Sequence, residues 1–204
     1  MTPAREQKIS DVLIKRQLDL TVVLENVHDP HNISAILRSC DAVGVQEIYA
    51  VNRKVSKPKR FGRKTSSGSR NWVEVNYFMN LEKCMSLVIS RHEKIYALSS
   101  DHKGKSLYDM DLTGSIALLF GNEKDGLTNK IMSYADETVT IPMAGMVNSL
   151  NISVACAVTL FEALRQRNMK GLYDRHEMLP EQLNIYSKWV IRETRKKRGN
   201  RRIV

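Results

Sequence analysis

The sequence predicts an α/β domain built around an open, mostly parallel sheet. Three observations point there. Segments with strand-like and helix-like periods alternate from residue 20 to residue 168. One strand candidate, "SIALLF" at 115–120, is apolar almost throughout, as strands covered on both faces are. Asp29 and Pro30 supply an N-cap and a first-turn proline for a helix that Gly44 ends.

The elements follow in order. Residues 5 to 18 place Ile9, Val12, Leu13 and Leu18 at near-helical spacing, with Lys8, Lys15 and Arg16 elsewhere on the surface, so an amphipathic helix precedes the main domain. "LTVVLENV" reads as a buried strand and Asp29 to Val43 as a helix, and "VQEIYAV" is the next strand. Beyond residue 70, "WVEVNYF" alternates as a strand, "LEKCMSLVISR" has helical period and "KIYALS" is a strand. After "SIALLF", "LTNKIMSYA" reads as a short helix, "TVTIPM" as a strand and 149 to 168 as a long, largely apolar helix. From Gly171 onward, Pro180 and the charge density mark a separate appendage, with Leu183, Tyr186 and Trp189 as its docking face.

With 42% hydrophobic and 26% charged residues in 204, the composition is that of a globular domain. No run approaches the roughly 18 apolar residues of a membrane span, and the amino terminus has no apolar h-region. A soluble cytoplasmic chain with no membrane partner is expected. Cys40, Cys84 and Cys156 are far apart, odd in number and outside any CxxC, which predicts buried thiols. His28 and His31 lack carboxylates at ligand spacing, so no metal site is expected.

The net charge of +10 suits a polyanion partner, and its distribution sharpens the point. Residues 52–70 carry eight Lys/Arg and no acid, while 188–204 carry eight against Glu193 alone. Together they hold +15, leaving the rest of the chain at −5. Each run alone reads equally well as a solvated surface. Two of them on a mildly acidic body favour nucleic acid, with RNA and DNA not distinguished by charge.

In open α/β sheets, ligands sit beyond the carboxyl ends of the strands. Three loops there combine polar residues with a following helix: "ENVHDPHN", "GNEKDG" and "AGMVNSLN". In "GNEKDGL", Gly121 and Gly126 permit close backbone approach or positive φ. Leu127 and Thr128 stand where a Walker A loop needs Lys and Ser/Thr, and the GxGxxG nicotinamide fingerprint is missing as well. A plain strand-to-helix turn remains an alternative. In "NSLNIS", Asn148 or Ser149 suits an N-cap, and free helix amides also suit a carboxylate or phosphate. Arg38 falls about 140° from Ile33, off the stripe of Ile36, Leu37 and Cys40, which fits either an ordinary exposed arginine or a site residue.

Taken together, "NVHDPHNISAILRSCDAVG", "LLFGNEKDGL" and "IPMAGMVNSLNISVACAVTLFEALRQR" resemble motifs one, two and three of the SpoU/TrmH branch of the SPOUT methyltransferases, in that order. The similarity runs from about Leu18 through Tyr173. It implies a SPOUT-type α/β domain with a carboxyl-terminal deep trefoil knot at 20–172, an amino-terminal helical extension at 1–19 and a basic carboxyl-terminal extension at 173–204. It implies a homodimer and S-adenosyl-L-methionine as methyl donor. The acceptor would be a ribose 2′-hydroxyl of RNA, expected at guanosine 18 of tRNA, with ribosomal RNA or another tRNA nucleoside as the alternative. A non-catalytic knotted RNA-binding module is the reading from another class.

The resemblance also assigns roles. Asn32, Arg38, Glu123, Ser149 and Asn151 become the functional polar positions. Leu98, Ser99, Gly121, Asn122, Gly126, Ile141, Met143, Ser149 and Leu150 would hold the donor. Arg16, Arg165 and Arg167 match basic positions associated with tRNA contact, joined from the basic runs by Arg53, Lys54, Arg60, Arg63 and Lys64 and by Arg195, Lys196, Lys197 and Arg198. The long stretch 52–70 and the tail depart from the family pattern and leave the RNA target open. Arginine stays charged across the physiological range. Either the site desolvates Arg38 enough to take the ribose proton, or Arg38 grips phosphate and ribose while phosphate or water accepts it. Replacing the Lys/Arg of 188–204 is expected to weaken RNA binding and flatten its dependence on salt, checked by titration across ionic strengths.

Overall fold

The computed structural model describes residues 1–52, 68–100 and 104–200, with side chains through residue 195. The chain divides into two compact units, Gln17–Arg167 and, together, Met1–Arg16 with the residues from Asn168 onward.

The larger unit is organised by seven parallel strands: β1 (Leu20–Glu25), β2 (Glu47–Val51), β3 (Glu74–Phe78), β4 (Lys94–Leu98), β5 (Lys105–Ser106), β6 (Ile116–Phe120) and β7 (Glu137–Thr140). Their spatial order is β3-β2-β1-β6-β4-β7-β5. The connecting helices are α2 (Pro30–Val43), α3 (Leu81–Ile89), α4 (Asn129–Met132) and α5 (Ile152–Met169).

The strands at the centre are apolar on both sides because helices cover both sides. Leu20, Val22 and Leu24 of β1 and Ile116, Leu118 and Phe120 of β6 share one core with Ile33, Ile36, Leu37 and Cys40 of α2 and Ile152, Cys156 and Leu160 of α5. Val23, Ala117 and Leu119 share the other with Leu81, Cys84, Met85 and Val88 of α3 and Ile131 of α4. The three cysteines are free and buried, and burial pushes the Cys84 thiol up to about 12.

Local signals explain the helix ends. Asp29 Oδ1 accepts from the His31 amide at 2.9 Å, and Gly44 closes α2 at φ 87°. Thr2 and Pro3 open α1 (Pro3–Ile14) in the smaller unit, where Ile9 and Leu13 are buried. There α6 (Pro180–Asn200) carries Glu193, which pairs with Arg5 at 3.3 Å, and Tyr186, whose hydroxyl donates to Glu6 at 2.9 Å.

Several expectations need correction. Helix α5 begins at Ile152 and not at 149, and the two-residue strand β5 has too few residues to show a period. Strand β7 stops at Thr140, before Pro142, which has no N–H for a ladder. Trp189 is buried, but Leu183 is 54% exposed among the described residues.

The larger corrections concern two arginines assigned to RNA. Arg16 is fully buried, its guanidinium carbon 5.4 Å from the Trp189 ring centroid. Arg167 is fully buried as well. Its guanidinium donates to Leu112 O at 2.9 Å, Gln17 Oε1 at 3.0 Å, Asp19 Oδ1 at 2.7 Å and Gly114 O. Such a fork pairs a fully buried guanidinium with two carbonyl oxygens, an amide oxygen and a carboxylate. Arg167→Met is therefore expected to cost about 2–4 kcal/mol in urea denaturation. A residue that contacts RNA would instead leave stability unchanged.

Candidate active site

The carboxyl ends of β4, β6 and β7 feed one cavity of about 850 Å³ in the larger unit. Leu98 and Ser99 reach it from β4, Ile141 and Met143 from the end of β7, and Ser149 and Leu150 from the segment before α5. Gly121, Asn122 and Gly126 line it from the loop after β6. All nine positions that the resemblance assigns to the donor line this one hollow. Glu123, Asn151, Ile152 and Ala155 also line it, and so do Lys124, Leu127 and Asn129.

The loop 121–127 is folded tightly on itself. Asn122 Oδ1 accepts from the amides of Lys124 at 2.9 Å and Asp125 at 2.8 Å, and the Gly126 amide donates to Asn122 O at 3.0 Å. Gly126 sits at φ 66°, and a Cβ on Gly121 would lie 2.0 Å from the Gly126 carbonyl carbon. Both glycines are needed, one for its φ and one for the close approach.

The three polar loops are joined by two side-chain hydrogen bonds. Asn151 Nδ2 donates to Asn32 Oδ1 at 3.2 Å, and Asn32 Nδ2 donates to Glu123 Oε1. The expected cap of α5 at Asn148 or Ser149 falls instead to Asn151. Its Oδ1 accepts from the Ser153 amide at 2.8 Å and the Ser153 hydroxyl at 2.6 Å. One asparagine thus caps a helix and faces the cavity.

Arg38 is exposed on α2 and does not line this hollow. Six residues after Asn32, it stands about 9 Å further along the helix and about 120° around it. Arg165 is exposed and paired with Glu162 at 2.7 Å, a hydrogen bond that holds the Glu162 carboxyl below the usual carboxylate range. Arg195 is exposed. Arg53, Lys54, Arg60, Arg63 and Lys64, and the side chains of Lys196, Lys197 and Arg198, lie outside the described residues. Among the described residues, no group of three or more His, Cys, Asp or Glu could hold a metal ion, and no helix is long and apolar enough to cross a membrane.

Sequence reasoning missed Glu25 and Thr128. The Thr128 amide and hydroxyl donate to Glu25 Oε2 and Oε1, each at 2.8 Å, and Glu25 is fully buried. A lone acidic residue ending an apolar strand was the only available signal.

Residues 19–161 match the SpoU rRNA Methylase family. Over 180 residues the chain is 47% identical to a tRNA (guanosine(18)-2'-O)-methyltransferase of Thermus thermophilus, covering 88% of this chain and 92% of that one. The solved TrmH/SpoU tRNA modifying enzyme of A. aeolicus superimposes with a TM-score of 0.85 at 36% identity, over 93% of this chain and 96% of that one. The SpoU methyltransferase AviRb from Streptomyces viridochromogenes, solved in complex with the cofactor AdoMet, matches with a TM-score of 0.65 at 30% identity over 76% of this chain and 60% of that one.

Gly121→Ala is expected to cost about 2 kcal/mol or more in thermal unfolding, because backbone and not a flexible side chain blocks the new Cβ. Unchanged stability would mean that the loop does not close on itself in solution.

Proposed function

The chain belongs to the SpoU rRNA methylase family, and from that premise we propose that it transfers a methyl group from S-adenosylmethionine to a ribose 2′-hydroxyl of tRNA, at guanosine 18. The observation that carries the reading is the convergence of the nine donor positions on one cavity whose loops are tied by Asn151, Asn32 and Glu123.

The residues present fit such a donor. The cavity volume lies within the roughly 300–1,000 Å³ of small-molecule sites. Leu98, Ile141 and Leu150 offer apolar contact, while the loop of Gly121 and Gly126 brings bare backbone to the wall. When bound, S-adenosylmethionine supplies an electrophilic methyl carbon on a sulfonium sulfur. The protein's task is then orientation and the handling of one proton.

Ser149 and Asn151 stand at the amino end of α5, where they would orient donor and ribose. Glu123 and Asn32 hold the loops in register. Arg38, exposed on α2, suits the gripping role: its guanidinium would bind a phosphate beside the acceptor ribose in a bidentate manner. The proton on the ribose 2′-oxygen would pass to that phosphate or to water.

A homodimer belongs to the proposal. Val154 and Phe161, seven residues apart on one face of α5, are 47% and 50% exposed, and that apolar face suits a second copy. A threaded carboxyl-terminal half belongs to it too. Strand β6 sits between β1 and β4, and β7 between β4 and β5, an order that favours late segments passing among earlier ones. Residues 20–172 would carry the chemistry, while 1–19 and 173–204 would serve RNA docking.

Methyl transfer to whole tRNA against ribosomal RNA, with nucleoside mapping, tests the substrate. Label confined to ribosomal RNA would overturn it. Arg38→Ala is expected to lower single-turnover rate about a hundredfold while donor affinity stays near wild type. Calorimetry that showed lost donor affinity together with normal chemistry would contradict this role.

A further inference from the structure

A fully buried carboxylate needs a reason, because moving it from water costs far more than burying an apolar side chain of equal size. Glu25 is such a group, the last residue of β1. In the sheet, Leu24 pairs with Phe120, so Glu25 and Gly121 leave neighbouring strands side by side. The loop that starts at Gly121 is held at its start by β6. Its other end is Thr128, whose amide and hydroxyl donate to the two oxygens of Glu25 at 2.8 Å. Thr128 is also the N-cap of α4, its hydroxyl oxygen accepting from the Ile131 amide at 3.5 Å.

Both ends of a seven-residue wall, Gly121 to Leu127, are therefore fixed to the same edge of the sheet. Every residue of that wall lines the cavity. Glu123, which ties the wall to Asn32, is among them.

We infer that Glu25 is a positioning residue for the donor side of the cavity, acting through Thr128 to set the shape of the 121–127 loop. The inference rests on the methyl-donor reading. A carboxylate suits this work better than its amide, because both donors of Thr128 need an acceptor and an amide offers one acceptor oxygen. Glu25 does not touch the wall's ligand face. Its effect reaches the donor only through the loop.

The test is calorimetric titration of the full-length protein with S-adenosylmethionine, alongside thermal unfolding and donor kinetics. Thr128→Val keeps the amide and removes the hydroxyl, and it is expected to weaken donor binding about tenfold. Its KM for the donor should rise by a similar factor while kcat at saturating donor stays within about twofold. Thr128→Ser keeps both donors and should bind like wild type, and Glu25→Gln should fall on the Thr128→Val side. Thr21→Val is the control. It removes another buried hydroxyl of β1, one bonded to Glu47 O at 2.8 Å, and should lower the unfolding temperature without changing donor affinity. Donor binding by Thr128→Val equal to wild type overturns the inference alone, as does an equal loss of affinity in Thr21→Val. A wild-type protein that does not bind S-adenosylmethionine overturns the methyl-transfer reading and this inference with it.

Discussion

The parallel pairing of β1 on β6 is the constraint from which the site follows. Its register, Leu20 on Ile116 through Leu24 on Phe120, brings the first and second polar loops out of the sheet side by side. That register cannot slip by one residue. Side chains of β1 alternate between two covered cores, Leu20, Val22 and Leu24 in one and Val23 in the other. A one-residue shift would exchange the faces and move Thr21 and Glu25 from the Val23 side into the core of Ile33, Ile36, Cys156 and Leu160. Burial on both faces therefore fixes, at some distance, where Asn32 can meet Glu123.

The bonds that join the loops are of another kind. Asn32, Glu123 and Asn151 are not buried, and exposed hydrogen bonds of this sort each contribute on the order of 1 kcal/mol or less. They do not hold the fold together. What they fix is direction. The Ser153 amide can only donate, so Asn151 must turn its oxygen toward the helix and its NH₂ outward. Asn32 then has to accept from Asn151 and donate onward to Glu123. The polarity of a helix end is thus passed through two amides to a carboxylate at the cavity. Weak bonds suffice because the sheet has already placed the loops.

Much of this was legible in the sequence, for physical reasons that differ between elements. Strands β1 and β6 announced themselves because burial on two faces demands unbroken apolar runs, and α2 because Asp29, Pro30 and Gly44 each satisfy a backbone need. Arg38 stood off the apolar stripe and is exposed. The start of α5 was misplaced because Asn148, Ser149 and Asn151 all suit a cap, and only the packed structure selects Asn151. Glu25 and Thr128 were hidden by separation: their contact spans 103 residues, and neither lies in a pattern with a period. The donor positions came from resemblance and not from spacing. Their gathering around one cavity is a property of the sheet order that no local signal contained.

The two misplaced arginines show why charge must be read by segment. Arg16 and Arg167 both lie outside the basic stretches 52–70 and 188–204, in the part of the chain whose sum is −5. Each is buried, Arg167 against carbonyl oxygens and Asp19 and Arg16 against Trp189, so neither offers its charge to a surface polyanion. Removing them from the RNA account leaves the +15 of the two stretches untouched, and because Glu25 and Glu162 are buried as well, the accessible balance of the body is unchanged. The contrast between a mildly acidic body and two strongly basic runs therefore survives the loss of both arginines. For a polyanionic substrate, that contrast favours approach along the basic segments and discourages adhesion elsewhere. The residue type concentrated in the two basic stretches acts elsewhere in this chain as internal scaffolding. Only burial and hydrogen-bond partners tell the two apart.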